Sequence, residues 1–379
     1  MLELDATHRS IRDTARAFAR ERIAPQAKAW DADERFPHEV VRELGDLGFL
    51  GINIPERYGG AELDTLAYAV IVEEISRADG SMGLTIASHN GLGSSHIVRS
   101  GSDEMKARYL PKLASGEWLG AWALTEPGSG SDSAALRTRA QSDGDAWVLN
   151  GSKMLITQGS VGGLCVVLAS TDFARRHHGI TAFAIERGTP GFEARKLTGK
   201  MGCRASDTAE LTLRDVRVPD AQRVGNEGSG FTDAMSILDK GRISIAAMAL
   251  GLGEAALAAA LAYANERRQF GRELSGFQAI QWMLADSQTE LEAARLLLWQ
   301  ACALSDAGRP FSREASMAKL FASEAATRVC DHALQIHGGY GYLNDFPVER
   351  YVRDVRVTRI GEGTSEVQRM LIARSMMPK

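Results

Sequence analysis

The segment RIGEGTSEVQR, Arg359 to Arg369, sets one carboxylate, Glu362, between two glycines, Gly361 and Gly363. A solvated loop glutamate has no need of that setting. If Glu362 instead faces an apolar pocket, desolvation disfavours its charged form and raises its pKa, giving a general base usable near neutral pH. The flanking glycines then leave room for a substrate beside it. A second stretch, TEPGSGSD from Thr125 to Asp132, follows the apolar run LGAWAL and gathers a proline, two glycines and several hydroxyls. It reads either as an ordinary strand-ending loop or as a place where glycines let backbone N–H groups approach a flat or phosphorylated ligand.

Other patterns carry less chemistry. GLGEAA, Gly251 to Ala256, matches a dinucleotide-type GxGxxA but lies in an alanine-rich helical run, so tight helix packing explains it better than phosphate binding. His177 and His178 adjoin in a polar stretch with no third ligand nearby in sequence, which fits a surface loop better than a metal site. No GxSxG elbow occurs, which argues against a serine hydrolase.

The elements that must position these residues fall into three blocks. Residues 1–118 read as helices, an arginine-rich amphipathic opening followed by LDTLAYAVIVEEISRADG and SDEMKARYLPKLASG. Residues 119–226 change texture. TRAQ and WVLNG flank a Ser142–Asp145 turn, and CVVLAS, ITAFAIE, FEARKL and AELTLRDVRV follow with Gly or Pro between them, as in a compact antiparallel β domain. Residues 227–379 return to a helix pattern that holds to the end. Ile280, Leu284, Leu291, Ala294 and Leu298 recur as a seam between antiparallel helices requires. The expected class is α+β, helix bundle, then β domain, then a second bundle.

The whole chain sets the outer limits. Its 379 residues exceed the ~100 to 200 of one domain, so two or three units with substantial cores are expected. A net charge of -4 without any block of like charge makes nucleic acid a poor partner. Four dispersed cysteines read as reduced and mostly buried. The opening carries Glu3, Asp5, Asp13 and Glu21, unlike a transit peptide or a signal sequence. The longest apolar run, Ile243 to Gly253, falls short of the ~18 residues of a membrane span. A soluble, cytoplasmic protein is expected.

Four separated motifs, WALTEPGSGSD, KMLIT, ERRQFGRELSGFQ, and QIHGGYGY through RIGEGTSEVQR, occur in an order and spacing that resembles the acyl-CoA dehydrogenase family from end to end. The resemblance implies a three-domain fold with an N-terminal helix bundle, a barrel-like antiparallel β domain and a C-terminal four-helix bundle. It implies FAD as cofactor, oxidation of an acyl-CoA to trans-2-enoyl-CoA, and electron-transfer flavoprotein as electron acceptor. Trp122, Leu124, Thr125, Gly130 and Ser131 would line the flavin, with Leu155 and Thr157 against its other part. Arg267, Gln269, Phe270, Gln278, Gln335, Gly338 and Gly339 would hold the adenosine diphosphate half from a neighbouring subunit, which implies an obligate oligomer, usually a homotetramer. Thr364 and Glu366 would also touch FAD, and Ser131, Asp239, Arg242, Gly361 and Gly363 would border the substrate. No metal is implied. Glu362 matches the catalytic base, removing the α-proton as hydride passes from the β-carbon to flavin N5.

Three positions qualify the resemblance. Some members carry the base at the position of Gly241, where this sequence has no carboxylate. Leu155 stands where tryptophan is common beside the flavin, and Gly361 replaces a frequent tyrosine, which widens the pocket near the acyl chain and favours branched or bulky short-to-medium acyl groups. An oxygen-using oxidase, an enoyl-CoA reductase and a noncatalytic acyl-CoA or flavin scaffold remain rival readings.

Overall fold

The computed structural model describes residues 4–377, so the first three residues of the expected opening segment lie outside the described part. Seven helices come first: α1 (Ala6–Phe18), α2 (Ala24–Ala32), α3 (His38–Asp46), α4 (Thr65–Ala78), α5 (Gly80–Ser88), α6 (Ser95–Ser100) and α7 (Asp103–Ala114). Short acidic and hydroxyl side chains start several of them. Asp5, Asp64, Asp79 and Ser102 each accept a bond from a backbone N–H three residues on, satisfying a donor that the first turn leaves open. Asp79 is itself extended, so it both ends α4 and opens α5.

Eight strands follow: β1 (Gly120–Ala123), β2 (Arg139–Asp143), β3 (Ala146–Thr157), β4 (Leu164–Ser170), β5 (Ile180–Glu186), β6 (Phe192–Lys196), β7 (Thr208–Pro219) and β8 (Arg223–Val224). They form one sheet in the order β6-β7-β3-β2-β4-β5-β8, with β1 beside β4. Antiparallel pairing dominates as expected, and β2 and β3 meet across the Ser142–Asp145 turn with Asp143 opposite Ala146. The sheet is mixed rather than purely antiparallel, because β1 and β2 both run parallel to β4. Each reaches β4 through a long connection instead of a tight hairpin, which is what parallel neighbours require.

The helix pattern then resumes with α8 (Gly230–Glu266), α9 (Gln278–Asp306), α10 (Ser312–His337), α11 (Val348–Val355) and α12 (Ser365–Met376). It does not hold without interruption. A hairpin of β9 (Arg268–Gln269) and β10 (Arg272–Glu273) stands between α8 and α9. Its two turn residues, Phe270 and Gly271, both have positive φ (50° and 81°), the backbone that a tight two-residue hairpin demands.

The helices at the two ends of the chain share a single apolar core. Ile71, Val72 and Ile75 of α4 pack in one cluster with Ile243 and Leu250 of α8, Leu291 and Leu298 of α9, and Val329 of α10. Helix α8 is the axis of this body. Its most apolar stretch, with a mean hydropathy of 1.9, is long and apolar enough to cross a membrane, beyond what the run Ile243 to Gly253 suggested. That stretch is 67% buried inside the fold, against α4, α9 and α10. GLGEAA lies within it. A Cβ on Gly251 would stand 2.2 Å from the Glu73 carbonyl oxygen, so this glycine serves helix-to-helix contact.

Candidate active site

Glu362 follows the short turn Arg356–Arg359 and precedes α12, whose Val367 N–H is capped by the Thr364 side chain. Its backbone is left-handed, with φ 54°, and Gly363 follows at φ 94°. A left-handed glutamate costs about 1–2 kcal/mol, so packing must impose it. The turn swings the carboxylate inward against α8, where a Cβ on Gly241 would lie only 1.7 Å from Glu362 Oε2. The missing side chain at Gly241 is therefore the space that Glu362 fills. The residue as a whole is only partly buried, yet Oε2 is fully enclosed and finds no hydrogen-bond partner among the described residues.

Electrostatics follow from that enclosure. Burial pushes the Glu362 carboxyl up to about 7, and the cations of Lys319 and Arg242 keep it from rising further. Arg242, buried on α8, donates to Asp239, which also accepts from Ser312 Oγ at 2.8 Å. Two of the residues expected to border the substrate thus form an ion pair next to Glu362. Gly361, just before Glu362, lacks the left-handed backbone of Glu362 and Gly363. A Cβ there would meet Val357 O at 3.5 Å, an ordinary contact, so the backbone does not require glycine at this position.

The flavin-lining residues expected from Trp122 to Ser131 and from Leu155 to Thr157 come together around β1 and β3. Met154 N donates to Thr125 O at 3.0 Å, joining the two segments directly. Lys153, fully buried, donates to Leu124 O at 3.1 Å and to Glu126 Oε1 at 2.8 Å. Glu126 accepts in addition from the backbone N–H groups of Arg137 and Thr138, which folds the loop over. Burial pushes the Lys153 ammonium down to about 8, and Glu126 still lies below the usual carboxylate range because Lys153 and the two N–H donors outweigh its desolvation. Sequence reading passed over both residues, although Lys153 opens KMLIT and Glu126 sits inside TEPGSGSD. Trp122 is fixed from behind, its Nε1 donating to His96 Nδ1 at 2.9 Å. Leu155 occupies a bulge in β3, at φ 61°, and points its side chain out, 63% exposed.

The second expected cofactor set gathers elsewhere. Arg267, Gln269, Phe270, Gln278, Gln335, Gly338 and Gly339 are all exposed, at the end of the helical body formed by the β9–β10 hairpin and the turn after α10. The Arg267 guanidinium lies 5.4 Å from the centre of the Tyr340 ring and ties hairpin to turn. Within the single chain this set packs on α8, α10 and α11, not on the β1–β3 cradle. Glu366 is exposed on the first turn of α12, and Thr364 uses its hydroxyl oxygen as the cap.

Both sets suit a large flat cofactor. Built Cβ atoms on Gly128, Gly130, Gly338 and Gly339 would meet nothing within 4 Å, so backbone amides there are open to close approach. Leu155 and Phe270, the latter 94% exposed in a left-handed backbone with the Phe277 ring edge-on 6.1 Å away, are apolar surfaces left largely open to solvent. Beyond the loop a cavity of about 590 Å³ is lined by Asp132, Arg137, Arg176 and His177.

Three family models match in sequence order: acyl-CoA dehydrogenase N-terminal domain over residues 5–117, middle domain over 121–216 and C-terminal domain over 228–377. The short-chain specific acyl-CoA dehydrogenase of Clostridium acetobutylicum is 46% identical over 363 residues, covering 96% of each chain. Butyryl-CoA dehydrogenase from Megasphaera elsdenii superposes with a TM-score of 0.98 at 40% identity over all of both chains. A chain in a structure of electron transferring flavoprotein of Acidaminococcus fermentans, described in terms of flavin-based electron bifurcation, gives a TM-score of 0.98 at 44% identity, again over all of both chains. The chain belongs to the acyl-CoA dehydrogenase family, FAD-dependent oxidoreductases that act on acyl-CoA.

The Lys153 clamp yields a direct test. Lys153→Met leaves Glu126 in a buried site without its counter-charge, which costs about 3–5 kcal/mol. Urea unfolding of the variant is expected to show that loss, together with weaker retention of FAD on gel filtration. Unchanged stability and full retention would mean that the ion pair does not hold the loop.

Proposed function

We propose that this chain is a short-chain acyl-CoA dehydrogenase in which Glu362 removes the α-proton, the product is a trans-2-enoyl-CoA, and electrons leave to an electron-transfer flavoprotein. The observation that carries the reading is the enclosed, unpartnered Oε2 of Glu362 against Gly241. Below about pH 7 the carboxyl keeps its proton and is inert as a base; above it the carboxylate is poorly solvated and correspondingly strong. The same burial favours the protonated product of the transfer. The butyryl and short-chain substrates in the names of the relatives support a short acyl group, and the flavoprotein in the third comparison supports the electron acceptor.

FAD, when bound, supplies the two-electron acceptance that no side chain here offers. Trp122, Leu124, Thr125, Gly130, Ser131, Leu155 and Thr157 would hold its ring side, with Thr364 and Glu366 near them. Arg267, Gln269, Phe270, Gln278, Gln335, Gly338 and Gly339 of another copy would hold the remainder. The separation of these sets within one protomer is the reason to infer a homo-oligomer, a tetramer in our reading.

Glu362→Gln is expected to lower turnover by about 10²–10⁴, the range of a lost general base, and to abolish anaerobic bleaching of the flavin by butyryl-CoA. In the wild type, log kcat/KM is expected to climb with pH and level off above about 7, since the active form is the deprotonated one. Bleaching that survives Glu362→Gln would point to another base, and a flavin that no thioester bleaches would point to a binding scaffold.

Because Gly361 has room for a side chain and lacks one, we assign it to acyl-chain space. Gly361→Tyr is expected to lose isobutyryl-CoA turnover while keeping butyryl-CoA turnover; equal loss on both would remove Gly361 from specificity. Light scattering is expected to give a tetramer mass for the FAD-loaded protein, and Phe270→Ser to release FAD. A monomer that retains FAD would refute the shared site.

A further inference from the structure

One charged side chain outside the residues discussed as site members reaches the Glu362 turn. Lys319 projects from α10, is 0% exposed, and donates from Nζ to Gly363 O at 2.6 Å. Gln368, from α12, donates to the same carbonyl at 2.9 Å and to Glu362 O at 3.4 Å. A carbonyl that receives two donors is held in place, and this one belongs to the glycine that makes the turn at φ 94°. An ammonium sealed from water needs hydrogen bonds and a counter-charge nearby. The hydrogen bond found for Lys319 among the described residues goes to the turn, and Glu362 is the foremost of the carboxylates that act on it, ahead of Glu324 and Glu366.

The groups facing Glu362 come from three helices. Arg242 on α8 is already committed to Asp239, Tyr68 on α4 donates its hydroxyl to Ala87 O at 2.7 Å, and Lys319 on α10 has no such carboxylate partner bonded to it. Arg242 also repels Lys319, so the two cations share one enclosed carboxylate.

We propose that Lys319 is a positioning residue for the dehydrogenation: its ammonium fixes the left-handed Glu362–Gly363 turn through the Gly363 carbonyl and supplies the main unpaired counter-charge to the Glu362 carboxylate. Burial pushes Lys319 down to about 8, so near pH 7.5 it is still largely charged while Glu362 is largely ionised. The pair is in its working form in that window. The inference rests on Glu362 being the base, and the two are tested separately.

The experiment compares FAD-loaded wild type with Lys319→Met, Lys319→Gln and Gln368→Met, using butyryl-CoA and following kcat/KM from pH 5.5 to 9.5. Lys319→Gln keeps a donor for Gly363 O but removes the charge. Its acid limb is expected to move up by about one pH unit, which is about a tenfold loss on the limb with recovery at high pH. Lys319→Met loses donor and charge, and is expected to show the same displacement with a lowered plateau. Gln368→Met loosens the same carbonyl without touching the charge and is expected to lower the plateau with the limb unmoved. An infrared titration of the carboxyl band that disappears in Glu362→Gln reads the same displacement without turnover. Should Lys319→Met not fold, Lys319→Gln and Gln368→Met carry the comparison, with thermal melting and the flavin spectrum as controls. A limb and a carboxyl band that stay in place in folded Lys319→Gln overturn the proposal, whereas activity in Glu362→Gln overturns the base assignment instead.

Discussion

The structure depends on one enclosed carboxylate. Glu362 Oε2 occupies the volume that a side chain at Gly241 would take, so the charge is held away from water by the helix that forms the axis of the fold. Everything around it deals with that arrangement. The left-handed turn aims the side chain, Gly363 permits the turn, and the Lys319 and Arg242 cations offset part of the desolvation. An isolated loop could not bear these costs. They are sustained because α4, α8, α9 and α10 share a large apolar core whose burial, at about 25 cal/mol per Å², far exceeds a few strained residues.

The same design recurs at the cofactor cradle. There a second buried lysine, Lys153, donates to the Leu124 carbonyl and to the Glu126 carboxylate, whereas Lys319 donates to the Gly363 carbonyl and acts on the Glu362 carboxylate without bonding it. Both lysines leave rigid elements, a strand and a helix, and pin a glycine-containing loop. A loop rich in glycine is entropically costly to order, and a charge-assisted hydrogen bond in a dry setting is among the stronger ways to order it. Leu155, Phe270 and Glu362, each expected to meet cofactor or substrate, are among the non-glycine residues with left-handed backbone.

Legibility in the sequence varied with the range of the interaction. The helix, sheet and helix blocks were readable because periodicity is local, and Glu362 was readable because its glycine neighbours are adjacent in sequence. The seam on α9 also held, with Leu291, Ala294 and Leu298 fully buried and Ile280 and Leu284 packed at its edge. The hairpin at Phe270 was missed because a four-residue strand pair carries no periodicity. The parallel neighbours of β4 were missed because strand direction depends on where long connections return. Lys153 and Lys319 were missed because a lone lysine in a strand or helix looks like any solvated one; only burial distinguishes it.

By itself the sequence determined which residue types are available: one glycine-flanked carboxylate, a Gly/Ser loop after an apolar strand, and helices patterned to pack. These follow from side-chain chemistry and spacing along the chain. Tertiary structure alone decided that Glu362 meets Gly241, that Lys319 reaches Gly363, and that the two residue sets expected to hold the cofactor sit apart within one chain. Those outcomes depend on which helices lie against each other, and the resulting desolvation, not the identity of the glutamate, is what raises its pKa to about 7.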